Sequence, residues 1–270
     1  MEDHNYSTET IEGFGQEWSH FTQRSMSNEE RSEMFSRYFS LIDWNERPTK
    51  ALDFGCGSGR WSLLVAPRVD NLVCADASPM ALNVAKENVP HQNVQFVNCT
   101  QQNIPFPDEH FDFIFSLGVL HHIPDTEAAI RSLSAKLLHG GRLLLYLYYA
   151  FDNRPFWFRA LWRVSDFLRK GISALPFPLR LGISQVIAVL IYWPLARLAK
   201  VLNAPDSWPL KGYADRSFYY MRTDALDRFG TKCENRFTRQ QITVMLSSAG
   251  FDNIRFSDSI PHWICTARKL

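Results

Sequence analysis

A chain of 270 residues with 46% apolar and 21% charged side chains has the make-up of a globular protein: one large α/β domain, or a domain carrying a sizeable insertion. Its formal net charge of +1 argues against a dedicated nucleic-acid binder, whose domain would be strongly basic. Five scattered cysteines with no CxxC pair, behind an acidic, polar N-terminus without a signal or transit pattern, point to reduced thiols and the cytoplasm.

Residues 1–48 open with a polar tail. FGQEWSHF follows, then a helical run through EERSEMFSRYFSLI in which Phe35, Phe39 and Ile42 recur at helical spacing, until Pro48 stops it. From 49 to 150, strand-like runs (ALDF, NLVCAD, VQFVN, FDFIFSL, GGRLLLYLYY) alternate with helical patterns (GRWSLLVAPR, SPMALNVAKENV, DTEAAIRSLSAKLL). This alternation predicts a doubly wound parallel sheet with helices on both faces. Gly140-Gly141 reads as a helix stop before the last of these strands. Residues 151–236 break the rhythm with irregular helices rich in Trp, Phe, Pro and Arg. Residues 237–270 restore it: a helix beginning after Thr238 and ending at Gly250, then NIRFSDS and HWICTARK. The connection through Pro261 is short enough for a hairpin, which would make the last strand antiparallel. Four segments result: an N-terminal helical cap (1–48), a cofactor-binding core (49–150), a helical insertion (151–236) and a completion of the core (237–270).

The chemistry concentrates after the first strand. Gly55, Gly57 and Gly59 form GxGxG, one place short of the GxGxxG dinucleotide pattern, and Asp53 stands just ahead of them. A dinucleotide loop lays its pyrophosphate on backbone N–H groups at a helix N-terminus, and an acid there repels that anion. A ligand with an ammonium and a sulfonium would instead be attracted. Asp76, ending the second strand, is placed to accept two ribose hydroxyls. Ribose plus a cationic tail points to S-adenosylmethionine; a plain tight turn with Asp76 as a helix cap is the structural alternative.

The runs ALDFGCGSGRWSLLVA, VCADASPMALNVAKEN, VQFVNCTQQNIPFPDEHFDFIFSLGVLHHIPD and GGRLLLYLYY resemble class I S-adenosylmethionine-dependent methyltransferases. Within that class they look like the small-molecule and lipid-quinone group carrying a type 11 domain. The resemblance covers about 48–150 closely and 236–270 loosely. It implies a Rossmann-like seven-stranded sheet with the last strand antiparallel and a mainly helical insertion after the fifth strand. It further implies that Asp53, Gly55, Cys56 and Gly57 surround the methionine part, Asp76 and Ala77 the ribose, and Met80 the adenine. Ser116 and Leu117 would line the transfer point. Where the family commonly has an acid near the adenine amino group, this chain has Thr100, with Gln101 beside it. FGQEWSHF resembles a segment that folds over the cofactor, with Phe14 and Trp18 excluding water; a plain packed amphipathic helix fits equally.

His121 is a candidate general base, beside His122 as the packing member of the pair, although methyl transfer is an in-line displacement helped mainly by positioning. No metal constellation is visible. Between Arg154 and Lys200, eight basic residues face one acid, Asp166, so this stretch is near +7 and the rest of the chain near −6. The run from Leu181 to Ala196 is uncharged, shorter than the ~20 residues a span wants, and interrupted by Pro194. Two readings stand: a helical lid over an apolar acceptor, and peripheral contact of 154–200 with anionic membrane. Tyr213, Tyr219, Tyr220 and Arg222 are candidate substrate residues, against a connector held by salt bridges of Asp215, Asp224 and Asp227 with Arg216, Arg222 and Arg228. The reading is a methyltransferase acting on an O, N or C nucleophile of a small, apolar or lipid-linked molecule. An NAD-dependent oxidoreductase and a non-catalytic cofactor-binding relative are the alternatives.

Overall fold

The apolar runs become the strands of one mixed sheet: β1 (Lys50–Phe54), β2 (Asn71–Asp76), β3 (Val94–Asn98), β4 (Phe111–Leu117), β5 (Leu137–Tyr146), β6 (Phe251–Phe256) and β7 (Ile264–Lys269). The computed structural model describes residues 5–152, 154–205, 207–258 and 263–270, so Pro261 lies outside the described residues. The sheet order is β3-β2-β1-β4-β5-β7-β6. The first five strands run parallel, and β7 pairs antiparallel with both β5 and β6. Reversal of strand order beside β1 opens a crevice at the carboxyl ends of β1 and β4, where ligands of open α/β sheets bind.

The helices are α1 (Thr8–His20), α2 (Asn28–Tyr38), α3 (Ser62–Val65), α4 (Pro79–Asn88), α5 (Thr126–Lys136), α6 (Phe156–Ser173), α7 (Phe177–Ile187), α8 (Trp193–Val201), α9 (Phe218–Gly230) and α10 (Arg239–Ser248). Two boundaries differ from the sequence reading, each for a local reason. The helix expected over GRWSLLVAPR shrinks to the four residues of α3, because Gly59 at φ +76° and Pro67 bracket it and the chain continues as a 3₁₀ turn. Gly140-Gly141 does not stop α5: the helix ends at Lys136, Leu137 already pairs with Phe111, and both glycines sit within β5. By contrast, α10 starts as expected, with Thr238 and Gln241 forming a complete capping box.

The chain divides into two compact units. The sheet unit comprises Met1–Gln23, Ser32–Ala150 and Cys233–Leu270, with a core in which the register neighbours Leu52, Ile114 and Leu143 meet Leu120 and Leu133, all fully buried. The helical unit comprises Arg24–Arg31 and Phe151–Lys232. Its helices are regular where irregular ones were expected. From Phe177 to Val201 the chain is one continuous 25-residue helix, with a π turn at Ala188–Tyr192 just ahead of Pro194. A π turn re-seats the carbonyls that a proline ring would otherwise strike. By length and composition alone this helix could cross a membrane.

Candidate functional site

A cleft with about 940 Å³ of empty space, open mouth included, lies within the sheet unit. Its walls are the loop after β1 (Gly55–Ser58, Arg60, Trp61), the ends of β2 (Asp76, Ala77) and β4 (Leu117, Gly118, Val119), residues 99–101, His122 and Ile123, and one face of α1 (Ser7, Thr10, Ile11, Phe14, Trp18).

The loop is built to bring backbone close to whatever occupies the cleft. The N–H groups of Gly55 and Cys56 both donate to Ala75 O (2.8 and 3.0 Å), folding the loop across the end of β2. Gly57 has φ +54°, and a Cβ there would stand 2.9 Å from the Trp18 indole nitrogen. Only glycine fits between the left-handed turn and the ring above it. Gly57 N–H in turn donates to Asp76 Oδ2 (2.9 Å), while Ser78 N–H donates to Oδ1 (2.8 Å). A carboxylate has about four lone-pair sites, so each oxygen retains accepting capacity toward the cleft. Burial pushes the Asp76 pKa up, and the two backbone donors pull it back.

Asp53 is placed differently from the sequence expectation. It is not among the cleft-lining residues; its carboxylate is buried under the loop and accepts from the Ser62 hydroxyl at 2.5 Å. Burial, opposed by the Ser62 bond and reinforced by the Asp76 charge, raises its pKa to about 7. The Cys56 thiol, hydrogen-bonded to the free thiol of Cys74 and buried, is held well above its ordinary pKa and is therefore no nucleophile.

The N-terminal helix closes one side. Phe14 meets the His122 ring at 4.8 Å, and Trp18 covers Gly57. Gly15 permits the approach of α1 to α4: a Cβ there would lie 2.4 Å from Ser78 Oγ and 2.6 Å from Met80 Cε. Met80 therefore packs on α1 and is not among the cleft-lining residues. A fastening that the sequence reading missed precedes this helix. Asn5 exchanges two hydrogen bonds with the Asp125 backbone (2.8 and 2.6 Å), and its carbonyl accepts from Gln101 Nε2. Gln101 is thus committed to holding the N-terminal segment, and the Thr100 hydroxyl donates to Asn103 Oδ1 (3.0 Å). Both nevertheless face the cleft. Ser116 is fully buried and donates to Phe54 O (2.8 Å), so Leu117, Gly118 and Val119 form that wall.

The histidine pair is arranged in reverse of the expectation. His121 is fully buried, stacks on Tyr148 at 3.8 Å, and has its pKa driven well below the ordinary 6.5 by burial. His122 lines the cleft, and its Nδ1 sits 2.7 Å from Cys233 O. A carbonyl only accepts, so in the neutral ring the proton is on Nδ1 and Nε2 is the accepting nitrogen.

The candidate substrate residues all belong to the helical unit. There Tyr213 and Tyr192 hydroxyls donate to Asp224 Oδ2 (2.5 and 3.4 Å), and Arg222 donates to Gln185 Oε1. Tyr220 N–H caps on Ser217, and Tyr219 O accepts from Thr223. Asp215 pairs with Lys200 at 2.9 Å, and the nearby Arg228 charge favours the ionised form of Asp224. Among the described residues no group of three or more His, Cys, Asp or Glu is arranged to hold a metal ion.

The residues of the cleft suit S-adenosylmethionine. The loop from Gly55 to Gly57 presents backbone to the cleft, Asp76 offers acceptors for vicinal hydroxyls, and the rings of Phe14 and Trp18 add apolar lining. A pyrophosphate would meet the Asp76 carboxylate, with Arg60 (its guanidinium 4.3 Å over Trp61) as the one cation among the lining residues.

Residues 52–145 match the family model described as a methyltransferase domain. Over 104 residues the chain is 34% identical to the uncharacterized methyltransferase YcgJ of Bacillus subtilis, covering 37% of this chain and 41% of that one. It is 33% identical over 99 residues to the probable tRNA methyltransferase 9B of Mus musculus (36% and 21% covered). It is 34% identical over 104 residues to the ubiquinone/menaquinone biosynthesis C-methyltransferase UbiE of Pseudomonas putida (36% and 40% covered). The match thus spans about two fifths or less of these curated relatives. In fold, the chain is similar to a putative O-methyltransferase from Nostoc punctiforme (TM-score 0.54, 15% identity, 95% of this chain and 60% of that one). The seven-stranded order with its antiparallel β7, the glycine loop against Asp76 and the matched segment agree: the chain carries a class I S-adenosylmethionine-dependent methyltransferase domain.

Proposed function

We propose that the protein transfers the methyl group of S-adenosylmethionine to an O, N or C nucleophile of a small molecule with an apolar or lipid-linked body. The observation that carries this reading is the cleft itself: a glycine loop bonded to Asp76, with Trp18 seated against Gly57 and Phe14 against His122. Bound there, the cofactor would supply an electrophilic methyl on a sulfonium. The loop backbone from Gly55 to Gly57, with Cys56, would hold the methionine part. Asp76, with Ala77, would accept the ribose hydroxyls, and Thr100 and Gln101 would border the base. Leu117, Gly118 and Val119 would wall the reacting end. Phe14 and Trp18 exclude water, which strengthens every polar contact inside. Asp53 acts from beneath the loop, its ionisation favoured by a cation above it. His122 is the candidate base on the cleft wall, with its Nδ1 proton directed at the Cys233 carbonyl.

An apolar acceptor is favoured by the lining near His122, where Phe14, Leu117, Val119 and Ile123 gather. The near-neutral chain favours it over RNA. Thermal shift with S-adenosylhomocysteine and with NAD tests the cofactor reading. Stabilisation by the former alone is expected, and stabilisation by NAD alone overturns it.

A further inference from the structure

The long helix of the helical unit is turned inside out relative to a helix folded in water. Its buried stripe is small: Ser184, Ala188, Ala196 and Ala199, with Tyr192 the one large member. Ala188, Tyr192 and Ala196 of this stripe pack with Met221, Ala225 and Phe229 of α9. The large apolar side chains point away, Leu179, Val186, Leu190, Trp193 and Val201 among them, Val201 being 81% exposed. A surface helix in water buries its large apolar face. Small residues toward neighbouring helices and large ones outward is the arrangement suited to an apolar surrounding medium.

Helix α6 repeats the pattern with charge added. Phe156, Trp157, Leu161, Val164, Phe167 and Leu168 are all exposed, Phe167 at 77%. At 100° per residue they fall in one arc of about 140°. Arg159, Arg163 and Lys170 lie along one edge of that arc and are exposed. Trp162 and Arg169 take the opposite side, where Arg169 donates to Thr231 O (2.8 Å) and to Asp166 (2.8 Å). The single acid of this stretch is thereby engaged by Arg169 and Lys170 and adds no opposing charge to the arc. Exposed apolar surface of this size marks an interaction site.

We propose that the helical unit docks on the surface of an anionic lipid bilayer. The apolar arc of α6 enters the boundary between headgroups and acyl chains, and Arg159, Arg163 and Lys170 meet lipid phosphates. Charge complementarity selects lipid over an apolar protein partner, because the basic side chains border the arc along its length. Surface docking is favoured over spanning by the neighbours of the long helix. Arg180 and Arg197, which flank its uncharged run, donate to Gly230 O (2.7 Å) and Ala214 O (2.8 Å) of their own unit. Its inner face rests on α9, which carries Arg222, Asp224, Asp227 and Arg228 and would have to enter hydrocarbon with it. The inference does not depend on the methyl-transfer reading.

The test is flotation of the full chain with phosphatidylcholine vesicles, with and without phosphatidylserine. Binding to the serine-containing vesicles alone, lost at high salt, is expected. Replacing Arg159, Arg163 and Lys170 together by Gln should lower partitioning about a hundredfold, and Phe167→Asp should abolish it. Circular dichroism should show both variants folded, and Leu190→Asp provides a second exposed-site variant should Phe167→Asp unfold. The proposal is overturned if the protein stays unbound with both vesicle types. It is equally overturned if sedimentation shows that a second copy covers the face, or if bound protein resists alkaline carbonate extraction as a spanning segment does.

Discussion

Replacing Asp53 by Asn should make the free protein more stable above neutral pH. The carboxylate is buried beneath the glycine loop, and its pKa is raised from 3.8 to about 7. A folded-state pKa above the unfolded one means that the fold disfavours the ion. Stability is therefore complete below the unfolded pKa and is lost as pH rises through the folded one. A shift of roughly three units corresponds to about 4 kcal/mol in total, of which roughly 2.5 kcal/mol falls between about pH 5 and pH 8. Asn keeps an oxygen to accept from Ser62 and carries no ionisable group. Urea unfolding of both proteins across that range should show the Asp53→Asn advantage growing toward alkaline pH by that amount. The variant should also discriminate less between S-adenosylmethionine and S-adenosylhomocysteine, since the sulfonium charge distinguishes them. Stability lost at a ligand site in exchange for binding is a common arrangement. A pH-independent difference between the two proteins would refute the reasoning, because it would mean that Asp53 is ionised at no cost in the fold.

Asp76→Ala removes acceptors for two hydroxyls and should weaken cofactor binding by about 3 kcal/mol, or more than a hundredfold, in calorimetry; unchanged affinity would dismiss the ribose assignment. Gly57→Ala places a methyl group 2.9 Å from the Trp18 ring and should lower affinity about tenfold or more. In a Trp18→Ala background that penalty should shrink, and equal penalties would show that ring and glycine are not coupled. His122→Gln should cut turnover with little change in cofactor affinity and flatten the pH–rate profile, whereas His121→Gln should chiefly lower the melting temperature. The reverse pattern would return the base role to His121.

The sheet was legible because its signals are local and strong. Alternation of apolar runs with capped helices specifies parallel crossovers, and Thr238 with Gln241 announces α10 within four residues. The glycine loop and Asp76 were legible because a tight turn leaves glycine at obligatory places. Side-chain direction was not. His121 and His122 differ by one position in a short 3₁₀ turn, and only the carbonyl of Cys233, 111 residues away, decides which ring faces the cleft. Asp53 looked like a cleft acid until Ser62 was seen to hold it below the loop. Gly15, an isolated glycine inside a helical pattern, was a signal of close approach that could have been read. The Asn5 clasp to Asp125 had none, since a lone polar residue in a polar tail looks like any other.

Methyl transfer to an apolar small molecule leaves a labelled product that can be followed. The full chain incubated with methyl-labelled S-adenosylmethionine and a cell extract, then partitioned into organic, aqueous and RNA fractions, tests it most directly. Label is expected in an organic-soluble product, with one S-adenosylhomocysteine formed per methyl transferred. Label confined to RNA, or cofactor bound but never consumed, would contradict it.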